Sequence, residues 1–165
     1  MRLFVAIKTN AAINMAVGSC AGSLSLFGNG SFCSKDMYHI TLAFIGERES
    51  AGTAVRALEK TEFRPFEIHT GKLINFKNTY CVSIEENRSL SRLNEEVVRA
   101  LSEEGIDTEK RTFVPHITVA RRFVKRAEPL VFVPSASMTV DEIVLAESIN
   151  GKYKALYRKK ANPTS

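Results

Sequence analysis

His39-Ile40-Thr41-Leu42-Ala43 and His116-Ile117-Thr118-Val119-Ala120 are nearly identical stretches, separated by 77 residues in a chain of 165. The offset is not confined to them. The same shift lays Val5 on Val82, Ile7 on Ile84 and Asn10 on Asn87. An apolar strand and the helix start behind it therefore repeat together with the HxT stretch, and repetition at a fixed period is a statement about architecture. The chain reads as a single domain over residues 1–165, made of two similar lobes, each strand, helix and HxT strand in turn. The boundary between the repeats falls near Asn75 to Thr79.

Successive side chains of a strand point to opposite faces. His39 and Thr41 thus share one face while Ile40 and Leu42 take the other, and His116 and Thr118 stand likewise against Ile117 and Val119. The apolar face packs on its own lobe. The other face presents an imidazole and a hydroxyl about 6.6 Å apart along the strand. Lobes related by a pseudo-twofold axis bring two such pairs to one central cleft. Two imidazoles there suit in-line chemistry at phosphorus, one taking a proton from water and the other giving one to the leaving oxygen. The hydroxyls suit non-bridging oxygens. Histidine fits because its ordinary pKa of about 6.5 populates both protonation states near neutrality.

Working outward, Arg2 to Lys8, Met37 to Ile45, Pro65 to Asn75, Thr79 to Ile84, Thr112 to Phe123, Leu130 to Val133, Asp141 to Ser148 and Tyr153 to Tyr157 read as strands. Asn10 caps a helix through about Val17, Ser50 to Lys60 forms a second, and Leu90, Leu93, Val97 and Leu101 mark a third that stops at Gly105. Gly18 to Ser34, with its four glycines and five serines, reads as loop. Lys77-Asn78 reads as a turn. This many paired strands point to α+β rather than a doubly wound sheet.

Charge narrows the partner. Residues 110 to 126 carry Lys110, Arg111, Arg121, Arg122, Lys125 and Arg126 with no acid, giving +6, while the whole chain is +5, so the remainder sums to −1. Such a strip suits a polyanion. Three cysteines without CxxC spacing write neither a disulfide framework nor a zinc knuckle. Val17-Gly18-Ser19-Cys20 imitates a lipoprotein cleavage box, but Lys8, Asn10 and Asn14 interrupt the segment before it. No apolar run approaches the roughly 20 residues of a spanning helix. The expectation is a cytoplasmic protein with no membrane association.

These residues resemble the 2H phosphoesterases, defined by two HxTx motifs, and within them the RNA 2′,3′-cyclic phosphodiesterase branch, also called 2′-5′ RNA ligases. The likeness runs through Arg2 to Ile7, Tyr38 to Glu47, Pro115 to Arg121, Ile143 to Ser148, Gly151 and Tyr153. It implies a bilobal fold with a cleft between two antiparallel sheets and helices on the outer faces. It implies RNA with 2′,3′-cyclic phosphate or 2′-phosphate ends as partner, tRNA processing as a setting, a monomer, no cofactor and no metal. By the same likeness His39 is the proton donor and His116 the proton acceptor; the near-symmetric motifs do not themselves order the roles. Thr41, Thr118 and Arg121 would bind the phosphate.

Some readings stay open. Arg121 is a phosphate clamp or part of a solvated basic surface. Phe4 stacks on the terminal base or packs in the core. Relatives commonly carry tryptophan before the first motif, and this chain has none. Lys35 stands at a loop exit or points into the cleft, and His69 reads as solvent-facing on an alternating strand, leaving a zinc triad with His39 and His116 short of support. Cys81 inside an apolar strand reads as an inert thiol rather than a nucleophile. The same two histidines serve hydrolysis of a cyclic phosphate or its reverse, 2′-5′ sealing. An RNA-end-binding module would need the basic strip but not two matched histidines.

Overall fold

Strand β1 (Arg2–Lys8) settles where the rest packs. Its Leu3, Val5 and Ile7 enter the main core, whereas Phe4 and Ala6 join Val144 and Ala146 in a smaller cluster on the other face. The structure is a computed structural model and describes residues 1–163. After β1 come α1 (Ala11–Leu24), β2 (Gly28–Phe32), a single 3-10 turn (Lys35–Met37), β3 (His39–Glu47) and α2 (Gly52–Lys60). The chain continues through β4 (Phe66–Phe76), β5 (Thr79–Ile84), α3 (Arg88–Glu103) and β6 (His116–Lys125). It closes with β7 (Ser137–Val140), β8 (Glu142–Ile149) and β9 (Lys152–Lys160).

These strands form two antiparallel sheets, β3-β1-β8-β9 and β2-β6-β5-β4-β7. The architecture is α+β and bilobal, each lobe a sheet covered by helix, with an HxT strand beside the cleft. β3 next to β1 in one sheet answers β6 next to β5 in the other. The lobes are not the two halves of the chain. β8 and β9 return to complete the sheet of β1 and β3, while β2 and β4 belong to the sheet of β5 and β6. The helices cross over too: α1 packs on β6 and β7, and α3 on β3 and β4, with α2 against α3, β8 and β9. A boundary near Asn75 to Thr79 therefore marks the repeat in sequence but divides no lobe in space.

The helix starts keep the repeat at atomic detail. Asn10 Oδ1 accepts from the Ile13 N–H at 2.9 Å, and Asn87 Oδ1 accepts from the Leu90 N–H at 3.0 Å. Each satisfies one of the donors a helix leaves free at its N-terminus. The turn Lys77-Asn78 has φ of 47° and 69°, the paired left-handed values that match a hairpin's twist.

Segment 18–34, read as loop, is instead the second half of α1 followed by β2. Val17, Cys20 and Leu24 extend the buried stripe begun by Ile13 and Ala16, and that burial outweighs the roughly 1 kcal/mol each helical glycine gives up. Cys20 is buried in mid-helix. β2 carries almost no apolar side chains, so no alternation marks it in the sequence. Its glycines serve close approach: a Cβ on Gly28 would meet the Val124 carbonyl oxygen at 2.3 Å. Leu130 to Val133 is irregular, with Leu130 and Phe132 exposed; the strand there is β7, a few residues on. Residues 112–115 lead into β6 without joining it. Among the described residues no helix is long and apolar enough to cross a membrane.

Removing either cap loosens its helix. Asn10→Ala and Asn87→Ala are each expected to lower unfolding free energy in urea by about 1 kcal/mol. Asn87→Ala should be the costlier, because its Nδ2 also donates to the Glu67 carbonyl at 2.7 Å; equal or reversed effects would contradict this.

Candidate active site

Each candidate histidine is the first residue of its strand and is held by the backbone just before it. His39 Nδ1 lies 2.8 Å from the Met37 carbonyl oxygen, and His116 Nδ1 lies 2.7 Å from that of Val114. A carbonyl only accepts, so Nδ1 carries the hydrogen in both rings. Nε2 is thereby left as the working atom, free to take or give a proton. Met37 and Val114 are again 77 residues apart.

Two residues along, Thr41 and Thr118 line the same cleft, a cavity of about 690 Å³ that also takes in His116 and Arg121. The cavity runs along Thr41 to Phe44 of β3 toward α3, where Asn94 Nδ2 donates to the Leu42 carbonyl at 2.8 Å. His39 is set back from this cavity, half-buried among aromatic rings. Its centroid is 5.0 Å from Tyr153 and 5.2 Å from Phe4. Burial pushes the His39 pKa below 6.5; the Met37 carbonyl resists the shift, and the Arg121 and His116 charges reinforce it. Thr41, His116, Thr118 and Arg121 share the cleft, and His39 begins the strand that carries Thr41.

The symmetry breaks in its side chains. His116 also leans on an aromatic ring, Phe76 at 5.4 Å; Phe76 and Tyr153 are themselves 77 apart, so the offset could have found both. Elsewhere the same offset joins unlike residues: Phe4 answers Cys81, and Phe44 answers Arg121. Around His39 the surface is aromatic, with Phe44 64% exposed and 6.5 Å from Phe4. Around His116 the cleft sets Thr118 and Arg121 among Phe76, Phe113 and Val114. Phe4 is buried, as a core residue would be, yet it packs on the face that carries His39 rather than in the main core.

Other singled-out residues fall away from this centre. His69 Nε2 sits 2.9 Å from Glu67 Oε1, and it does not line the cleft. Among the described residues no group of three or more His, Cys, Asp or Glu is placed to hold a metal ion. Lys35 begins the 3-10 turn and lies over Gly18 of α1. Cys81 reaches the cleft, its Sγ 4.0 Å from Thr118 Oγ1, but burial raises its pKa to about 11, so it remains a thiol. Cys33, in the segment read as loop, lies 4.0 Å from Arg121 Nη1. Arg122 has φ of +51°. The other non-glycine residues with positive φ, Lys77, Asn78 and Asn150, occupy hairpin turns; Arg122 stands inside a strand, where that region costs about 1–2 kcal/mol.

Fold and site together define the class of bilobal α+β proteins that set one HxT strand on each side of a cleft. Residues 29–152 match the sequence model of the 2′-5′ RNA ligase superfamily, and the chain belongs to that superfamily. An RNA 2′,3′-cyclic phosphodiesterase of Archaeoglobus fulgidus is 31% identical over 138 residues, covering 79% of this chain and 77% of the relative. Bacillus subtilis and Geobacillus stearothermophilus proteins of the same name are 34% and 28% identical, and the chain spans only 52% and 50% of their lengths. The crystal structure of E. coli LigT complexed with 3′-AMP superposes with a TM-score of 0.78 at 21% identity, over 98% of both chains.

The environment of His39 has a direct test. In the free protein its imidazole should titrate below 6.5 by NMR, because burial and like charge both disfavour the imidazolium. Arg121→Gln should move that pKa upward. A His39 pKa above 6.5, or a downward move in the variant, would contradict the geometry.

Proposed function

We propose that the protein is an RNA 2′,3′-cyclic phosphodiesterase, hydrolysing a terminal cyclic phosphate to a 2′-phosphomonoester without a metal. The observation that carries this reading is the matched pair of imidazoles, each fixed by a backbone carbonyl with Nε2 free. The Archaeoglobus fulgidus relative supports the substrate class by its name. One chain supplies every group the reaction needs, so a monomer suffices.

The broken symmetry supports one order of roles. Both ester oxygens of a cyclic phosphate belong to one ribose, so the nucleoside lies on one side of phosphorus and the attacking water on the other. The aromatic side, Phe4, Phe44 and Tyr153 around His39, receives the nucleoside. The cationic side, Arg121 and Thr118 beside His116, receives the phosphoryl oxygens and the water. His116 Nε2 takes the proton of water as its oxygen bonds to phosphorus. The P–O3′ bond breaks, and His39 Nε2–H protonates the departing oxygen. Thr41, Thr118 and Arg121 donate to the non-bridging oxygens as charge builds. The proton gained by His116 and lost by His39 is returned through solvent.

A lowered pKa suits His39 to this part. Its imidazolium is a stronger acid than an ordinary one, and the arriving phosphate anion offsets the Arg121 and His116 charges that disfavour it.

A short RNA ending in 2′,3′-cyclic phosphate, incubated with the protein in excess chelator, tests the reading. Wild type should yield the 2′-phosphate. His39→Ala and His116→Ala should each lose about 10²- to 10⁴-fold in kcat with their folds intact. A 3′-phosphate product, turnover abolished by the chelator, or RNA bound by folded wild type without turnover would each sink it.

A further inference from the structure

Among the six cations of the strip at 110–126, several are already engaged. Arg111 pairs with Glu109 at 2.7 Å, Lys125 pairs with Glu128, and Arg126 Nη2 donates to the Leu26 carbonyl at 3.2 Å. Arg121 and Arg122 have no carboxylate partner among the described residues. Arg121 lines the cleft. Arg122, the next residue, is exposed and shares only Nη2, which donates to Ser31 Oγ at 2.9 Å. A guanidinium has five N–H donors, so four remain.

Its backbone explains how two successive strand residues both reach solvent. A regular strand would send Arg121 and Arg122 to opposite faces. Here Arg122 takes a left-handed φ of +51° and Phe123 turns inward instead, its ring packed against Tyr80 at 5.1 Å and Phe32 at 6.2 Å. β2 is fitted to this kink: its register on β6 shifts between Asn29 and Ser31, and a Cβ on Gly30 would meet the Arg121 carbonyl and Phe123 Cα at 3.0 Å. In the other lobe a glycine, Gly46, takes the left-handed turn late in β3, with φ of +88°. An arginine at a position where glycine would be more stable is strain kept for a use.

Resting on the phosphodiesterase reading, we propose that Arg122 binds the first phosphate upstream of the cyclic end. It thereby makes the enzyme prefer an RNA chain over a free nucleoside 2′,3′-cyclic phosphate. Arg121 holds the reacting phosphate from the cleft, and Arg122, one residue along the same strand, meets the next charge of the polymer. Ser31 of β2 accepts from one guanidinium nitrogen without neutralising its charge.

The experiment compares kcat/KM for a nucleoside 2′,3′-cyclic phosphate, which lacks any upstream phosphate, with an RNA of about six nucleotides bearing the same 3′ end. Wild type is expected to favour the RNA. Arg122→Ala and Arg122→Gly should each cut the RNA-to-nucleoside ratio about tenfold at low salt, and make the salt dependence of RNA turnover shallower by about one unit of log–log slope. Arg122→Gly alone relieves the left-handed strain, so its melting temperature should rise by about 2–4 °C while Arg122→Ala gains none. A ratio and slope unmoved by both variants, with wild type active on both substrates, would overturn this inference alone. Wild type inactive on both substrates would overturn the phosphodiesterase reading, and this inference with it.

Discussion

A single hydrogen bond, made twice, governs the site: the carbonyl two residues before each histidine takes the proton of Nδ1. Without it an imidazole at a strand's first position turns about its side-chain bonds and exchanges tautomers. With it, the ring is held and Nε2 is left clear of the backbone contact in both lobes. The bond is inexpensive because it uses a carbonyl not yet committed to the sheet, just before the strand begins. Its recurrence 77 residues later means that the repeat carries a chemical orientation as well as a fold.

On that symmetric frame the side chains diverge, and on the proposed function the divergence gives the site its direction. Two identical half-sites would bind a substrate equally well either way round. Phe44 answers Arg121 in the repeat, and on the proposed function Phe44 serves a flat apolar group and Arg121 an anion. The two imidazoles are chemically alike in sequence but unlike in surroundings. His39 is enclosed by Tyr153 and Phe4, and burial holds its pKa below the ordinary imidazole value. The interleaved lobes tie this arrangement together, since each sheet contains strands from both halves of the chain.

Much of this was legible in the sequence, and the illegible parts share a cause. The HxT strands, the capping asparagines and the third helix carry local signals: alternation, caps and a helical apolar stripe. His39, Thr41, His116 and Thr118 stand out by the doubled HxT pattern and Arg121 by the family resemblance; Thr41, His116, Thr118 and Arg121 line one cleft, with His39 set back from it. The second half of α1 was hidden because its glycines and serines spoke locally for a loop, while Val17, Cys20 and Leu24 gain their weight only by tertiary burial. β2 was hidden for the opposite reason. It contributes backbone rather than side chains, and Gly28 and Gly30 matter by what they leave out. The exchange of strands and helices between lobes leaves no mark on any one segment. The aromatic rings at the histidines were within reach, since Phe76 and Tyr153 obey the repeat already in hand.

On the proposed function the cleft has a direction, with the nucleoside beside His39 and the attacking oxygen beside His116. The most direct measurement is a crystal structure of the protein with a nucleoside 2′,3′-cyclic vanadate, whose trigonal-bipyramidal centre imitates the transition state. The account expects the base against Phe44, the vanadate oxygens on Arg121, Thr41 and Thr118, and His39 Nε2 within about 2.6–3.2 Å of O3′. His116 Nε2 should then touch the apical oxygen opposite. A nucleoside bound the other way round, with O3′ against His116, would contradict it.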